Sequence, residues 1–396
     1  MVNVIGLGYI GLPTALMMAS HGVEVVGTNH GEEKVKTLKA GNITFEEKGL
    51  DELFQKALQS GIRFTTEYQT ADYYIISVAT PYDEATKKVD MSIVMAALED
   101  VVRVAPADAT VIIESTVSPG SIDKHVRPFL KEKSREDLHI VHAPERIIPG
   151  NMVYELLHND RTIGADDPEI GEKVKKLYAS FCQGDIVITD IKTAEMTKVI
   201  ENTFRCVNIA FANELAKICA AEGIDVYEVI RICNKHPRVN ILQPGPGVGG
   251  HCIPVDPWFL VGDHPELTKL IRDSLEVNQS MPLYVLAKIK EICEKENISF
   301  DRVGLYGLAF KENVDDYRQS PTLQLLKQQP FKVYDPWISC KAAENQYYDF
   351  NEFLAAADLV VIMVGHSQLR EQMDKLQGKI ILDTRKICDL PGVYRL

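Results

Sequence analysis

Residues 2–29 read VNVIGLGYIGLPTALMMASHGVEVVGTN. An apolar strand runs into Gly6, Gly8 and Gly11. A helix with apolar residues at helical spacing follows, and a second apolar strand closes the unit. This is a βαβ element with a glycine-rich first turn. A G-x-G-x-x-G between strand and helix lets backbone N–H groups approach a pyrophosphate at the helix N-terminus, so the stretch predicts a dinucleotide site. A glycine-rich turn without a ligand is the bland alternative, and the strand–turn–helix context argues against it. The residue ending the second strand bears on which dinucleotide. An acidic residue is expected there, and this chain has Asn29. Asn can hydrogen-bond a ribose 2′-hydroxyl but does not repel a 2′-phosphate as a carboxylate would. His30 and Lys34 are close by with no Arg to grip that phosphate, so the residues favour NAD over NADP.

Further buried-strand candidates lie at 73–81, 110–120, 139–150 and 185–190, spaced for crossover helices, which predicts a mostly parallel sheet. From about Ile191 the pattern changes. Residues 192–223 contain no Gly or Pro before Gly223 and predict one long helix ending there. Helical segments continue to about Glu296. Strand-and-helix alternation then resumes, with strands at 302–311, 331–336, 358–365 and 379–385. The expected architecture is α/β. An N-terminal Rossmann-like NAD domain covers 1–190, a central long-helix domain for dimerisation and catalysis 191–296, and a C-terminal Rossmann-like domain 297–396.

A chain of 396 residues exceeds what one hydrophobic core usually organises. Hydrophobic content of 45% and charged content of 25% describe an ordinary globular protein. The formal net charge of −13 argues against nucleic acid or an anionic membrane as partner, but not against an anionic small molecule. The cysteines are scattered without CxxC pairs, so neither a zinc cage nor a disulfide framework is expected. No basic leader precedes the first strand and no apolar stretch reaches membrane length, so the expectation is a cytoplasmic enzyme.

The stretch PGPGVGGHCIPVDPW (244–258) surrounds Cys252 with glycines, prolines and Asp256. Three readings compete. A core cysteine needs apolar neighbours on a regular element, which this loop does not supply. A metal site could use His251, Cys252 and Asp256, but no other Cys/His cluster completes it, and no metal is expected. A nucleophile fits: a thiolate beside a nicotinamide can add to an aldehyde and give a thiohemiacetal able to lose a second hydride. On 192–223, Lys198 and Asn202 stand at i and i+4, on one helix face. A solvated face is the alternative, but Met196, Val199, Ile200 and Phe204 around them are apolar.

The chain resembles the nucleotide-sugar 6-dehydrogenases, the UDP-glucose/GDP-mannose dehydrogenase family. The resemblance runs end to end through the glycine loop, ESTVSPGS, APERIIPG, AEMTKVIENTFRCVNIAFANELA, the cysteine loop and GLAFKENVDDYRQSP. It implies an NAD-dependent, four-electron oxidation of a nucleotide-sugar C6 alcohol to the uronate, with a UDP-sugar bound by the C-terminal domain. NKHPRVNILQPGPGVGGHCIPVDPWF and PERIIPGNMVYELLHNDRTIG are most similar to the branch acting on UDP-N-acetyl-D-mannosamine. The plain UDP-glucose enzymes typically carry a Glu where this chain has Pro149.

The same resemblance implies the site. Cys252 is the nucleophile, and Lys198 and Asn202 stabilise the developing oxyanion. Asp256 acts as base or positions water together with Thr116, and Glu145 serves thioester hydrolysis. Gly6, Gly8, Tyr9, Ile10, Gly11, Asn29, Thr80, Thr116 and Arg318 face the cofactor. Glu145, Arg146, Lys198, Asn202, Arg205, Gly249 and Lys311 face the substrate, Lys311 serving the UDP. Arg238 resembles an arginine that reaches the substrate from a neighbouring subunit. Consistent with a dimer or higher oligomer, 192–223 carries apolar residues on more than one face, among them Val199, Phe204, Val207, Ile209, Phe211, Leu215 and Ile218. A two-electron 2-hydroxyacid or 6-phosphogluconate-type dehydrogenase would share the first domain but have no use for Cys252. A nucleotide-sensing protein without turnover would need neither Cys252 nor Lys198 with Asn202.

Overall fold

In the computed structural model, which describes all 396 residues, the first sheet contains strands β1 (Val2–Ile5), β2 (Val25–Thr28), β3 (Arg63–Thr65), β4 (Tyr73–Ile76), β5 (Thr110–Ile113), β6 (His139–His142), β7 (Arg161–Ala165) and β8 (Ile186–Thr189). Their order is β3-β2-β1-β4-β5-β6-β7-β8, parallel throughout except at the antiparallel β6–β7 pair. Strands of such a sheet are apolar on both faces, because helices cover both. Val4, Ile75 and Ile112 pack into one core layer, and Ile5, Ile76 and Ile113 into the other.

The second sheet contains β9 (Val303–Tyr306), β10 (Lys332–Tyr334), β11 (Gln346–Tyr347), β12 (Leu359–Ile362), β13 (Ile380–Asp383) and β14 (Tyr394–Arg395). All its pairs are parallel, in the order β11-β10-β9-β12-β13-β14. One face carries Leu305, Val333 and Val361 into a core shared with Ala212 and Ala216 of the long helix Ile191–Glu222 and with Val285 and Ile289 of the helix Lys269–Glu296. The other face carries Tyr306, Val360 and Ile362.

The chain divides into two compact bodies. One contains Met1–Glu201 and Trp258–His264, the other Asn202–Pro257 and Pro265–Leu396. The long helix leaves the first body at Glu201 and continues in the second.

Several strands are shorter than their apolar runs predict. β4 stops at Ile76, β5 at Ile113 and β6 at His142. Beyond β5 the Ser115 side chain competes with the sheet ladder, and beyond β6 Pro144 has no N–H to donate to it. Ser115 Oγ donates to the Val78 carbonyl at 2.7 Å and accepts from the Val78 N–H at 2.9 Å. These loops lie at the carboxyl ends of parallel strands, where open α/β sheets bind ligands, and they carry Thr80, Thr116 and Glu145. Strands β3, β7, β11 and β14 were not predicted.

Candidate active site

The loop after β1 sits at the switch point of the first sheet, between β1 and β4. Each glycine answers a different steric demand. Gly6 has φ +90°, and a Cβ there would come 2.4 Å from the Ser77 carbonyl oxygen. A Cβ on Gly11 would lie 2.0 Å from the Gly6 oxygen, so the helix starts only if that residue is bare. A Cβ on Gly8 would meet nothing within 4 Å. Gly8 therefore borders open space at a helix N-terminus, and this cradle fits a pyrophosphate. Tyr9 follows and packs against Phe45, the two rings tilted by 38° with centroids 4.4 Å apart. At the end of β2, Asn29 Oδ1 accepts from the Gly31 N–H at 2.9 Å, and Lys34 Nζ donates to the Leu7 carbonyl in the glycine loop at 3.3 Å.

Glu145, in the loop after β6, is buried and ion-paired to Arg161 of β7, and its Oε1 accepts from the Arg146 N–H at 2.7 Å. Arg161 also approaches Glu114, at the end of β5, to 4.0 Å, and lies over the rings of Tyr178 and Phe181 at 4.5 and 5.3 Å. Tyr178 OH donates to Glu114 at 3.3 Å. Two carboxylates thus share one buried cation. Burial, then the Glu145 charge, push the Glu114 carboxyl up to about 7 against the partial relief of Arg161. Arg146 is itself tied, donating to the Asp160 carbonyl at 3.1 Å and Thr162 at 2.9 Å and pairing with Glu201 at 2.8 Å. Thr116 is half-buried in the loop after β5.

In the second body the cysteine loop forms a turn ahead of the helix Asp256–Asp263. The Cys252 carbonyl accepts from the N–H groups of Val255 and Asp256 at 3.1 and 2.8 Å, so Cys252 and Asp256 are one tight turn apart. Cys252 is exposed, and Asp256 is buried. Asn202 Nδ2 donates to Asp256 Oδ2 at 2.6 Å, which joins the long helix to the cysteine turn. Lys198, also buried, stands one turn before Asn202 on that helix. Beside Cys252, burial and then the Arg318 guanidinium push His251 below its ordinary value. His251, Cys252 and Asp256 are not gathered into a group of three that could hold a metal ion.

The loop is anchored from several sides. Gly245 N–H donates to Asn213 Oδ1 and Leu242 N–H to Asn208 Oδ1, both at 2.9 Å and both on the long helix. Gly249 and Gly250 press on Phe310, where added Cβ atoms would come to 2.7 and 2.9 Å. Lys311 follows Phe310 and is half-buried, while Arg318 pairs with Asp316 at 2.6 Å. The Gly250 N–H donates to the Arg318 carbonyl at 3.0 Å. Arg205 and Arg238 are exposed, Arg205 on the long helix and Arg238 beyond the helix Val226–Cys233.

Sequence reading missed Glu114, Arg161 and Tyr178, although an arginine opening the apolar stretch RTIGA was a usable signal. It also missed Asn208 and Asn213, which look like ordinary helix residues until the loop they hold is seen.

Two Rossmann-like sheets, a glycine cradle at the first switch point and an exposed thiol in a glycine loop define a dinucleotide-binding oxidoreductase. Family models of the UDP-glucose/GDP-mannose dehydrogenase family match three segments: the NAD binding domain at residues 1–182, the central domain at 192–280 and the UDP binding domain at 304–390. The chain belongs to that family. It is 42% identical to a UDP-N-acetyl-D-mannosamine dehydrogenase of Methanocaldococcus jannaschii, over 98% of this chain and 92% of the relative. It is 41% identical to an NDP-N-acetyl-D-galactosaminuronic acid dehydrogenase of Ralstonia nicotianae, over 97% of this chain and 95% of the relative. The solved UDP-N-acetyl-mannosamine dehydrogenase of Staphylococcus aureus superposes with a TM-score of 0.89 at 40% identity, covering 100% of this chain and 97% of that one.

Proposed function

We propose that the chain oxidises the C6 alcohol of UDP-N-acetyl-D-mannosamine to the carboxylate with two NAD. The observation that carries this reading is the exposed Cys252 one turn from Asp256, itself hydrogen-bonded to Asn202. The relatives of that name supply the sugar.

Gly6, Gly8, Tyr9, Ile10 and Gly11 would hold the pyrophosphate, Asn29 the adenosine ribose, and Thr80, Thr116 and Arg318 the remainder of the cofactor. Bound NAD supplies a hydride acceptor for each of the two oxidations. The chain's residues do the rest. In the first oxidation the C6 hydroxyl gives up its proton to Asp256, directly or through a water held with Thr116, while Lys198 and the second amide N–H of Asn202 stabilise negative charge on the C6 oxygen. At the aldehyde stage the Cys252 sulfur bonds to C6 and the carbonyl electrons move onto oxygen, giving a thiohemiacetal. Loss of the second hydride leaves a thioester. Water then adds to C6, the C–S bond breaks and the Cys252 thiolate departs. Asp256 with Thr116, and Glu145, take the protons of that water. Arg146, Arg205, Arg238 and Gly249 hold the sugar and Lys311 the UDP.

Arg238 acts across a subunit interface in this reading. The long helix supports a partner: Met196, Ile200, Phe204, Phe211 and Ile218 are exposed, Phe204 at 65%, a row of apolar side chains that invites cover. No helix is long and apolar enough to cross a membrane.

The galactosaminuronate relative favours a second reading, the same oxidation of another UDP-N-acetylhexosamine. A panel of UDP-sugars separates the two, scored for NADH formed per sugar consumed. Two NADH per UDP-N-acetyl-D-mannosamine, at the highest kcat/KM of the panel, is the expected result. One NADH per sugar would exclude the four-electron mechanism.

A further inference from the structure

The six strands of the second sheet repeat the order of the first six strands of the first sheet, so the loops at the two switch points can be compared position by position. Gly6 N–H donates to the Thr28 carbonyl at 2.9 Å, and Gly307 N–H to the Tyr334 carbonyl at 2.8 Å. Both glycines have positive φ, +90° and +99°. The residue after the acceptor is Asn29 in one domain and Asp335 in the other. Asn29 turns forward, onto Gly31. Asp335 turns back into the loop. Its Oδ2 accepts from the N–H groups of Leu308 at 2.6 Å and Ala309 at 2.8 Å, and its Oδ1 from that of Trp337 at 2.8 Å. A protein carboxylate thus occupies the kind of N–H groups that a dinucleotide-binding loop offers to a pyrophosphate.

A second buried group completes the device. His366, beyond β12, accepts at Nδ1 from the Asn313 N–H at 2.9 Å. That nitrogen is therefore bare, and the proton sits on Nε2, which donates to Asp335 Oδ2 at 3.1 Å. Both side chains are 0% exposed. Burial alone would raise the Asp335 carboxyl, but the hydrogen bonds from His366 and from the amides of Ala309 and Trp337 hold it below its usual range. Asp335 fixes the start of segment 308–313 and His366 its end, and Lys311 lies between them.

We propose that the buried Asp335–His366 pair is a positioning device that aims Lys311 at the diphosphate of the UDP-sugar. The proposal rests on the reading of Lys311 as the UDP cation. His366→Leu removes both imidazole hydrogen bonds. It should raise the KM for the UDP-sugar and the Kd for UDP roughly tenfold, since only part of the two lost hydrogen bonds' weight is felt at Lys311. The kcat should change less than about threefold, and the KM for NAD not at all. His366→Asn, which keeps an acceptor for Asn313, should fall between Leu and wild type; if the Leu variant fails to fold, it replaces it in every comparison. The deciding measurement is a cycle with Lys311→Ala, reading UDP binding by calorimetry. If the pair acts through Lys311, the double variant binds UDP no worse than Lys311→Ala alone. Undiminished binding by Lys311→Ala would overturn the reading of Lys311 itself. Weakened binding by Lys311→Ala with no effect of the His366 variants, or fully additive effects, would overturn the positioning role and leave that reading standing.

Discussion

Cys252 stands out in the sequence because its neighbours are wrong for a core cysteine, and in the fold it lies in an exposed turn beside Asp256, the arrangement on which the proposed nucleophile rests. Cys252→Ala should still bind UDP-sugar and NAD but lose uronate formation by roughly 10³-fold or more. Near-normal uronate from that variant would remove the covalent mechanism. Glu114 was not legible. Nothing in ESTVSPGS says that its carboxyl meets Arg161 and Tyr178, because strand order, not local pattern, brings residues 114, 145, 161 and 178 together. Their meeting has a pH consequence. The Glu114 carboxyl ionises near 4.5 in the unfolded chain and is held up to about 7 in the fold. Between those values the native state binds more protons than the unfolded one, so this group's contribution to stability falls as pH rises. Glu114→Gln removes the loss. Its stability relative to wild type should climb by about 3 kcal/mol from pH 4.5 to 8, as read by thermal melts across that range. A difference that does not vary with pH would show that Glu114 does not hold the proton.

Among the elements, the βαβ unit and the long helix were readable because each carries a strong local signal: a glycine turn in one, an uninterrupted apolar period in the other. The predicted helix 192–223 forms as Ile191–Glu222 and ends at Gly223 with φ +69°. The unread strands had no such signal. β3 is RFT, β11 and β14 have two residues each, and β7 opens on an arginine. β3, β11 and β14 form because an existing sheet edge pairs them, and β7 because it is held between β6 and β8. The glycine turn makes a prediction that separates fold from ligand. Gly11→Ala puts a methyl group against the Gly6 carbonyl and should destabilise the protein by about 3 kcal/mol or more. Gly8→Ala meets nothing in the chain, so its melting temperature without cofactor should stay at the wild-type value while the KM for NAD rises about tenfold or more. If Gly8→Ala binds NAD normally, the pyrophosphate does not lie over Gly8.

For the whole molecule, the apolar faces of 192–223 suggest a partner, and the family resemblance implies that the partner lends Arg238 to the site. The exposed row Met196, Ile200, Phe204, Phe211 and Ile218 keeps to one side of the long helix, while Ala212 and Ala216 face the core of the second body. A helix that buries one side within its own chain and leaves large apolar groups on another is suited to a second copy. Arg238 is exposed, as a residue that serves a neighbouring subunit would be in a single chain. The two ideas are tested together by mixing Arg238→Ala chains with Cys252→Ala chains, each inactive alone. In a mixed dimer one site receives Cys252 from one chain and Arg238 from the other, so activity should return to at most about half of wild type per mixed dimer. Phe211→Asp, placed in both chains, should abolish that recovery by preventing association, with sedimentation as the independent readout of the monomer. If mixing is demonstrated and activity remains at zero, Arg238 acts within its own chain or not at all. If the Phe211→Asp chains still sediment as dimers, the exposed face of the long helix is not the surface that joins them.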